Sequence, residues 1–179
     1  SLQANLTKRM SSGLTVQADW TWSKYMQATS FLNETDPVPE EVISPDDRPL
    51  RITLSWVWEL PFGKGKSLAS GVKGWVNQII GGWQLQGLWE FQSGPPIGFG
   101  NVIFTGDVRD IPLPKDERTV ERWFNTEAGF ERDPKKQLAY NIRTFSSWLA
   151  GLRADGLNVW NISALKRFRL SERFNLEFR

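Results

Sequence analysis

Apolar and polar residues alternate with period two along several stretches of the chain. That is the signature of strands with one apolar and one polar face. From Leu50 to Leu60 one face reads Leu50, Ile52, Leu54, Trp56, Trp58 and Leu60, and the other reads Arg51, Thr53, Ser55, Val57 and Glu59. From Leu14 to Ser23, Leu14, Val16, Ala18, Trp20 and Trp22 oppose Thr15, Gln17, Asp19, Thr21 and Ser23. From Trp83 to Gln92, Trp83, Leu85, Gly87, Trp89 and Phe91 oppose Gln84, Gln86, Leu88, Glu90 and Gln92. Weaker copies run over Leu2, Ala4 and Leu6, over Trp160, Ile162 and Ala164, and over Phe174, Leu176 and Phe178. The pattern therefore predicts an all-β fold of six strands, several of them about 9–11 residues long, the length of a tilted strand crossing a hydrocarbon layer.

The connections alternate in length. Met10 to Gly13 is a tight turn, and Lys24 to Asp47 is a long polar loop containing Pro37, Pro39 and Pro45. Pro61 to Gly82 is intermediate, Ser93 to Leu157 very long, and Arg167 to Arg173 short. Long structureless loops are unusual in compact soluble domains. Outer-membrane barrels combine short periplasmic turns with long extracellular loops, and the Pro61–Gly82 connection is a partial misfit to that rule. With the short turns periplasmic, Trp20, Trp22, Trp89, Phe91 and Trp160 fall near the extracellular rim. Trp58, Trp83, Phe168 and Phe174 fall near the periplasmic rim, and Trp56 sits deeper. Aromatics at both rims with aliphatics between them form the girdle of such barrels. The core of a soluble β-sandwich predicts the same alternation.

Composition sharpens this picture. Ten tryptophans stand against two tyrosines, and tryptophan favours interfaces where an apolar ring keeps one edge wet. No uncharged apolar run approaches the roughly 18 residues of a membrane-spanning helix, so contact with a bilayer requires strands. The net charge is +2 and no dense basic run exists, which argues against nucleic acid as a partner. Cysteine and histidine are both absent, removing disulfides, thiolate chemistry and the commonest general base. The chain starts at Ser1 without a signal peptide, and its alternation still runs at Arg179, as expected of a segment of a longer protein.

Motifs of catalysis fail on spacing. Gly65-Lys66-Ser67 resembles the end of a phosphate-binding loop, but the glycine required five positions earlier is Leu60. Gly98-Phe99-Gly100 lacks the third glycine of a dinucleotide fingerprint, since Ile103 stands there. Gly94-Pro95-Pro96 marks a strand end. The acidic neighbours Glu40-Glu41, Asp46-Asp47 and Asp116-Glu117 read as solvated loop residues. Asn5, Asn33 and Asn161 begin chance matches to the glycosylation acceptor pattern. Within the longest loop, Thr119 is a candidate cap for a short helix reaching Asn125, with Val120, Trp123 and Phe124 on its apolar side; a loop-packing cluster is the simpler reading.

Three segments carry a resemblance. Asp46-Asp47-Arg48-Pro49-Leu50-Arg51 through Leu60-Pro61-Phe62-Gly63-Lys64-Gly65-Lys66 resembles part of the TonB-dependent receptors, and most of all their Oar-like subgroup, which often has a carboxypeptidase-regulatory-like domain at its N-terminus. Gly81-Gly82-Trp83-Gln84-Leu85-Gln86-Gly87 with Phe91-Gln92-Ser93-Gly94-Pro95-Pro96, and Arg153-Ala154-Asp155-Gly156-Leu157-Asn158-Val159-Trp160-Asn161-Ile162-Ser163, are similar to the same proteins. Pro49 departs from the polar or histidine residue expected there. The resemblance implies a large outer-membrane barrel of about twenty-two strands, a separate N-terminal plug, and uptake driven by the inner-membrane TonB complex. Residues 1–179 would be a late, partial stretch of that barrel, with the plug and the final strands absent, since family barrels end in an aromatic residue and Arg179 is not one.

The combined expectation is an antiparallel up-and-down meander forming a sector of a transmembrane barrel, with long extracellular loops. Outer-membrane lipid should face Leu14, Val16, Ile52, Leu54, Leu85 and Trp89. The lumen should face Gln17, Asp19, Arg51, Ser55, Gln86 and Glu90. In the longest loop, Asp107, Arg109, Asp110, Arg118 and Trp123 are candidate contacts for an unknown extracellular ligand. No cofactor, metal or catalytic residue is assigned. A passive porin-like or structural barrel, and a soluble carbohydrate-binding β-sandwich, are the alternatives.

Overall fold

The computed structural model describes residues 1–138, 140–169 and 175–179. In chain order the strands are β1 (Leu2–Ser11), β2 (Leu14–Trp22), β3 (Met26–Gln27), β4 (Val42–Ile43), β5 (Leu50–Glu59), β6 (Trp83–Gln92), β7 (Pro96–Gly98), β8 (Trp148–Arg153), β9 (Leu157–Arg169) and β10 (Asn175–Phe178). One short helix, α1 (Trp75–Ile80), lies between β5 and β6. Two compact units result. The sheet unit comprises Ser1–Trp22, Leu50–Gln92 and Leu157–Arg179, and the loop unit comprises Ser23–Pro49 and Ser93–Gly156.

The sheet unit is a six-stranded antiparallel meander in the order β1-β2-β5-β6-β9-β10. All six expected strands are present, each hydrogen-bonded to the strand before it in the sheet. Three boundaries differ from the expectation. β1 extends to Ser11. β9 covers thirteen residues rather than the stretch around Trp160–Ala164, because Leu157, Val159 and Leu165 put apolar side chains on its polar face and blur the alternation. β10 begins at Asn175, and Phe174, expected at the periplasmic rim, lies outside the described residues, as does most of the Arg167–Arg173 turn.

Turn chemistry fixes the register. Ser12 and Gly13 have φ of 54° and 79°, the doubly left-handed two-residue turn whose twist matches that of a hairpin. Ser11 thus pairs with Leu14, and a one-residue register shift between Lys8 and Ser11 then brings the alternating faces of β1 and β2 into coincidence from Lys8↔Val16 to Leu2↔Trp22. The Pro61–Gly82 connection folds back on itself. Lys66 pairs with Glu59 at 2.9 Å, so the Gly65-Lys66-Ser67 sequence is a basic turn.

The long connections are not structureless. β7 pairs with β8, β3 with β4, and 3₁₀ turns form at Val108–Asp110, Lys115–Glu117 and Pro134–Lys136. The loop unit has its own core of Phe104, Ile111, Phe145 and Leu152, against which Phe99, Phe124, Phe130 and Trp123 pack. The helix expected from Thr119 to Asn125 does not form. Thr119 and Arg122 exchange backbone hydrogen bonds in a closed turn, Thr119 Oγ1 accepts from the Arg122 N–H, and Val120 is 92% exposed. Trp123 and Phe124 instead join the aromatic cluster, so the loop-packing reading holds for them.

Candidate functional site: a two-faced sheet and a loop body

Residues paired across antiparallel strands share a face. The registers therefore test which side chains stand together. Leu14 pairs with Trp58, Val16 with Trp56, and Ala18 with Leu54, which pairs in turn with Trp89. Ile52 pairs with Phe91, Trp58 with Leu85, and Leu85 with Ala164. All six residues expected to meet lipid, Leu14, Val16, Ile52, Leu54, Leu85 and Trp89, thus stand on one face.

The other six stand together on the opposite face. Gln17 pairs with Ser55, Asp19 with Thr53, and Thr53 with Glu90. Arg51 pairs with Gln92, and Gln86 with Val57 and Ser163. This face is internally bonded. Asn5 Nδ2 donates to Asp19 Oδ1 at 2.5 Å, Gln17 Nε2 to Asp19 Oδ2 at 3.1 Å, and Thr7 Oγ1 to Asn5 Oδ1 at 3.2 Å. Asn5 thus has a structural role within β1, and Asn161 is a strand residue of β9 on the same face. A trough of about 600 Å³ runs across the polar face between Thr15, Gln17, Ser55, Gln86, Asn161 and Ser163.

The apolar face is organised by its aromatics. Trp56 lies flat over Gly87, its cross-strand partner. A Cβ at Gly87 would stand 2.0 Å from Trp56 Cζ2, so only glycine admits the ring there. Trp160 stacks on Trp89 at 5.2 Å and meets Trp56 edge-on at 6.4 Å. The indole N–H of Trp89 donates to Asn158 Oδ1 at 2.8 Å. By register, Trp20, Trp22, Trp89, Phe91 and Trp160 lie toward the strand ends that carry the long connections. Trp58, Trp83 and Phe168 lie toward the opposite strand ends, and Trp56 lies between. Among the described residues of the sheet unit, Leu165 is the single buried hydrophobic side chain, and it belongs to the polar face. The tryptophan-bearing face has no protein core of its own.

Three polar residues interrupt the apolar face, Lys8 opposite Val16, Asn158 opposite Phe91 and Lys166 opposite Trp83, and the last is buried. Lys166 pairs with Trp83 and is only 5% exposed. Its Nζ lies 5.2 Å from the Trp83 ring centroid and 5.0 Å from that of Phe168. It donates to Ile79 O at 3.0 Å and to Gly81 O. This buried cation is thus answered by the carbonyls that end α1 and by two ring faces. Pattern reading passed over it, although a lysine opposite a tryptophan at a strand end was a visible signal.

In the loop unit three polar side chains of the 23–49 segment tie it to the 93–156 segment. Asn33 Oδ1 accepts from the Arg143 N–H at 2.7 Å, and Asn33 Nδ2 donates to Arg143 O at 3.1 Å. Glu40 accepts from the Ser147 N–H at 3.0 Å and from Ser147 Oγ at 2.6 Å. Asp47, 1% exposed, binds Arg153 Nη2 at 2.7 Å and accepts the Tyr25 N–H at 2.6 Å. Glu40 and Asp47, expected to be merely solvated, are therefore structural acceptors. Burial lowers the Arg143 guanidinium from its ordinary value and Glu40 partly opposes that, but an arginine stays charged at any physiological pH.

The candidate ligand contacts divide. Asp107 caps the Val108–Asp110 turn by accepting the Arg109 N–H at 2.8 Å and pairs with Arg109 Nε at 3.2 Å. That backbone bond first, and the guanidinium second, hold the Asp107 carboxyl below the usual aspartate range. Asp107, Arg109 and Asp110 are gathered on this one exposed turn. Arg118 Nε donates to Leu113 O at 2.7 Å, and the Trp123 indole N–H to Arg153 O at 2.7 Å. Both of these side chains brace the loop unit from within.

Residues 1–179 match the family described as outer membrane beta barrel domain. Neither a curated protein nor a solved structure matches the chain. The soluble sandwich alternative falls on this match. An antiparallel meander with one apolar and one polar face, recognised by that family along its whole length, makes this chain a member of the outer membrane β-barrel domain family of the bacterial outer membrane.

Proposed function

We propose that the chain forms part of the wall of a TonB-dependent transporter, taking up an extracellular ligand through a plugged lumen. The observation that supports this most directly is the division of the sheet. Leu14, Val16, Ile52, Leu54, Leu85 and Trp89 meet hydrocarbon, while Gln17, Asp19, Arg51, Ser55, Gln86 and Glu90 line a hydrated interior. Charged and amide side chains cost several kcal/mol against lipid but little beside water or a plug. The resemblance of Asp46–Lys66, Gly81–Pro96 and Arg153–Ser163 to Oar-like receptors supports the finer assignment. The loop unit then faces the exterior, with Asp107, Arg109 and Asp110 available to a ligand and Arg118 and Trp123 holding the loop beneath them. The wall acts as a conduit and not as an enzyme.

Planar-bilayer recording on the full-length protein tests this reading against a passive porin. A plugged transporter gives no steady conductance until urea displaces the plug. An ohmic channel in the absence of denaturant refutes the plugged reading and favours the porin.

A further inference from the structure

The connection between β5 and β6 is too long for an ordinary periplasmic turn, and its composition is one-sided. Between Leu60 and Gly82 the charged residues are Lys64, Lys66 and Lys73, with no acid among them. Among the described residues, only Lys66 of these three has an acidic partner, Glu59. The same connection exposes Phe62, Leu68, Trp75 and Ile79. Trp75 and Ile79, 73% and 57% exposed, stand one turn apart on the same side of α1.

Where α1 sits is fixed by its C-terminal end. Ile79 O accepts from the Trp83 indole N–H at 2.9 Å and from Lys166 Nζ, which also binds Gly81 O. Trp83 and Lys166 are paired residues of the apolar face, at the strand ends opposite those that carry the two longest connections. The helix is therefore moored to the face that meets lipid, at the boundary of the bilayer. Its middle is braced by Asn77 Oδ1, which accepts the Lys64 N–H at 2.6 Å. An apolar helix face beside several lysines at a membrane boundary is the arrangement of an interfacial anchor.

We infer that the 61–82 connection is a lipid-binding foot: α1 lies in the interface of the inner leaflet, burying Trp75 and Ile79 among the upper acyl chains while Lys64 and Lys73 meet anionic phospholipid headgroups. The inference rests on the reading above in which the tryptophan face meets lipid and the long loops are extracellular. Continuity with that face and the unopposed positive charge together select an anionic lipid surface as occupant.

The chain has no cysteine, so an introduced thiol is its one label site once any cysteine elsewhere in the full-length protein has been replaced by serine. Ile79→Cys carrying an environment-sensitive fluorophore is placed in the full-length protein in nanodiscs of phosphatidylcholine with or without phosphatidylglycerol. Lipids brominated high on the acyl chain should quench it, aqueous iodide should not, and phosphatidylglycerol should shift its emission to the blue. Lys64→Gln with Lys73→Gln should abolish that lipid-dependent shift. Leu54→Cys with the same label reports the parent reading. If Leu54 is quenched by brominated lipid and Ile79 answers only to iodide, the foot is refuted and the barrel reading stands. If neither meets lipid, both fall. A membrane-impermeant maleimide should label Ile79→Cys only after the outer membrane is permeabilised; labelling on intact cells overturns the inner-leaflet assignment.

Discussion

Leu54 and Ser55 are adjacent in β5, point to opposite faces, and give the sharpest test of which face meets hydrocarbon. Leu54 is flanked by Ala18 and Trp89, and Ser55 by Gln17 and Leu88. β5 is ten residues long, so it spans about 33 Å at roughly 3.3 Å per residue. A tilt of about 40° projects this to about 25 Å along the membrane normal, the height of the apolar band of such barrels. Leu54 and Ser55 are its fifth and sixth residues and sit near the midplane. Leu54→Arg should therefore cost about 2–4 kcal/mol, the range for arginine on the lipid face at that depth. At about 1.4 kcal/mol per decade this is roughly a 30- to 1,000-fold loss in the folding equilibrium. Ser55→Arg enters a face that already holds Gln17, Asp19 and Glu90, and should cost well under half as much. Urea titrations of full-length protein folded into phosphatidylcholine vesicles, followed by tryptophan fluorescence and by heat-dependent gel mobility, measure both. Equal costs, or a larger cost for Ser55→Arg, would refute the assignment of faces.

Three other outcomes are expected. Gly87→Ala should destabilise by about 1–3 kcal/mol through overpacking against Trp56, and most of that cost should vanish in a Trp56→Ala background; an unchanged cost there refutes the contact. Asp47→Ala should cost about 3 kcal/mol, the lower part of the range for breaking a buried pair because Arg153 is partly exposed, and should speed tryptic cleavage within residues 93–156; unchanged cleavage counts against the strap. Asp107 has a depressed pKa, so its support of the Val108–Asp110 turn is complete above the ordinary aspartate range and is lost as pH falls through the lowered value. Carboxyl-carbon NMR in micelles should place its midpoint below that of an unstructured aspartate, and a midpoint at or above it contradicts the capping geometry.

The sheet was largely legible because its information is periodic. Every second residue of β2, β5 and β6 reports the same environment, so both strands and faces follow from a count. β9 was read short because Leu157, Val159 and Leu165 are apolar residues on the polar side. The loop unit was illegible for the opposite reason. Phe99, Phe104, Phe124, Phe130 and Phe145 form one cluster without any repeat in their spacing. Asn33, Glu40 and Asp47 find their partners more than a hundred residues away, which no local pattern encodes. Of the proposed ligand residues, the exposed charges of one turn were recognisable as a group. The inward bonds of Arg118 and Trp123 depend on carbonyls that composition does not reveal.

The three straps also have a kinetic meaning. Their sequence separations are 110, 107 and 106 residues, so the early segment has only its own local contacts, such as the β3–β4 pairing, until residues 143–153 come into reach. Closing so wide a span carries an entropy penalty that no neighbouring contact offsets beforehand. The β5–β6 pairing closes a far smaller span and should form first. Ordering of this body is a late event, and proteins arrested before it should be recognisable by protease-sensitive loops on an otherwise assembled sheet.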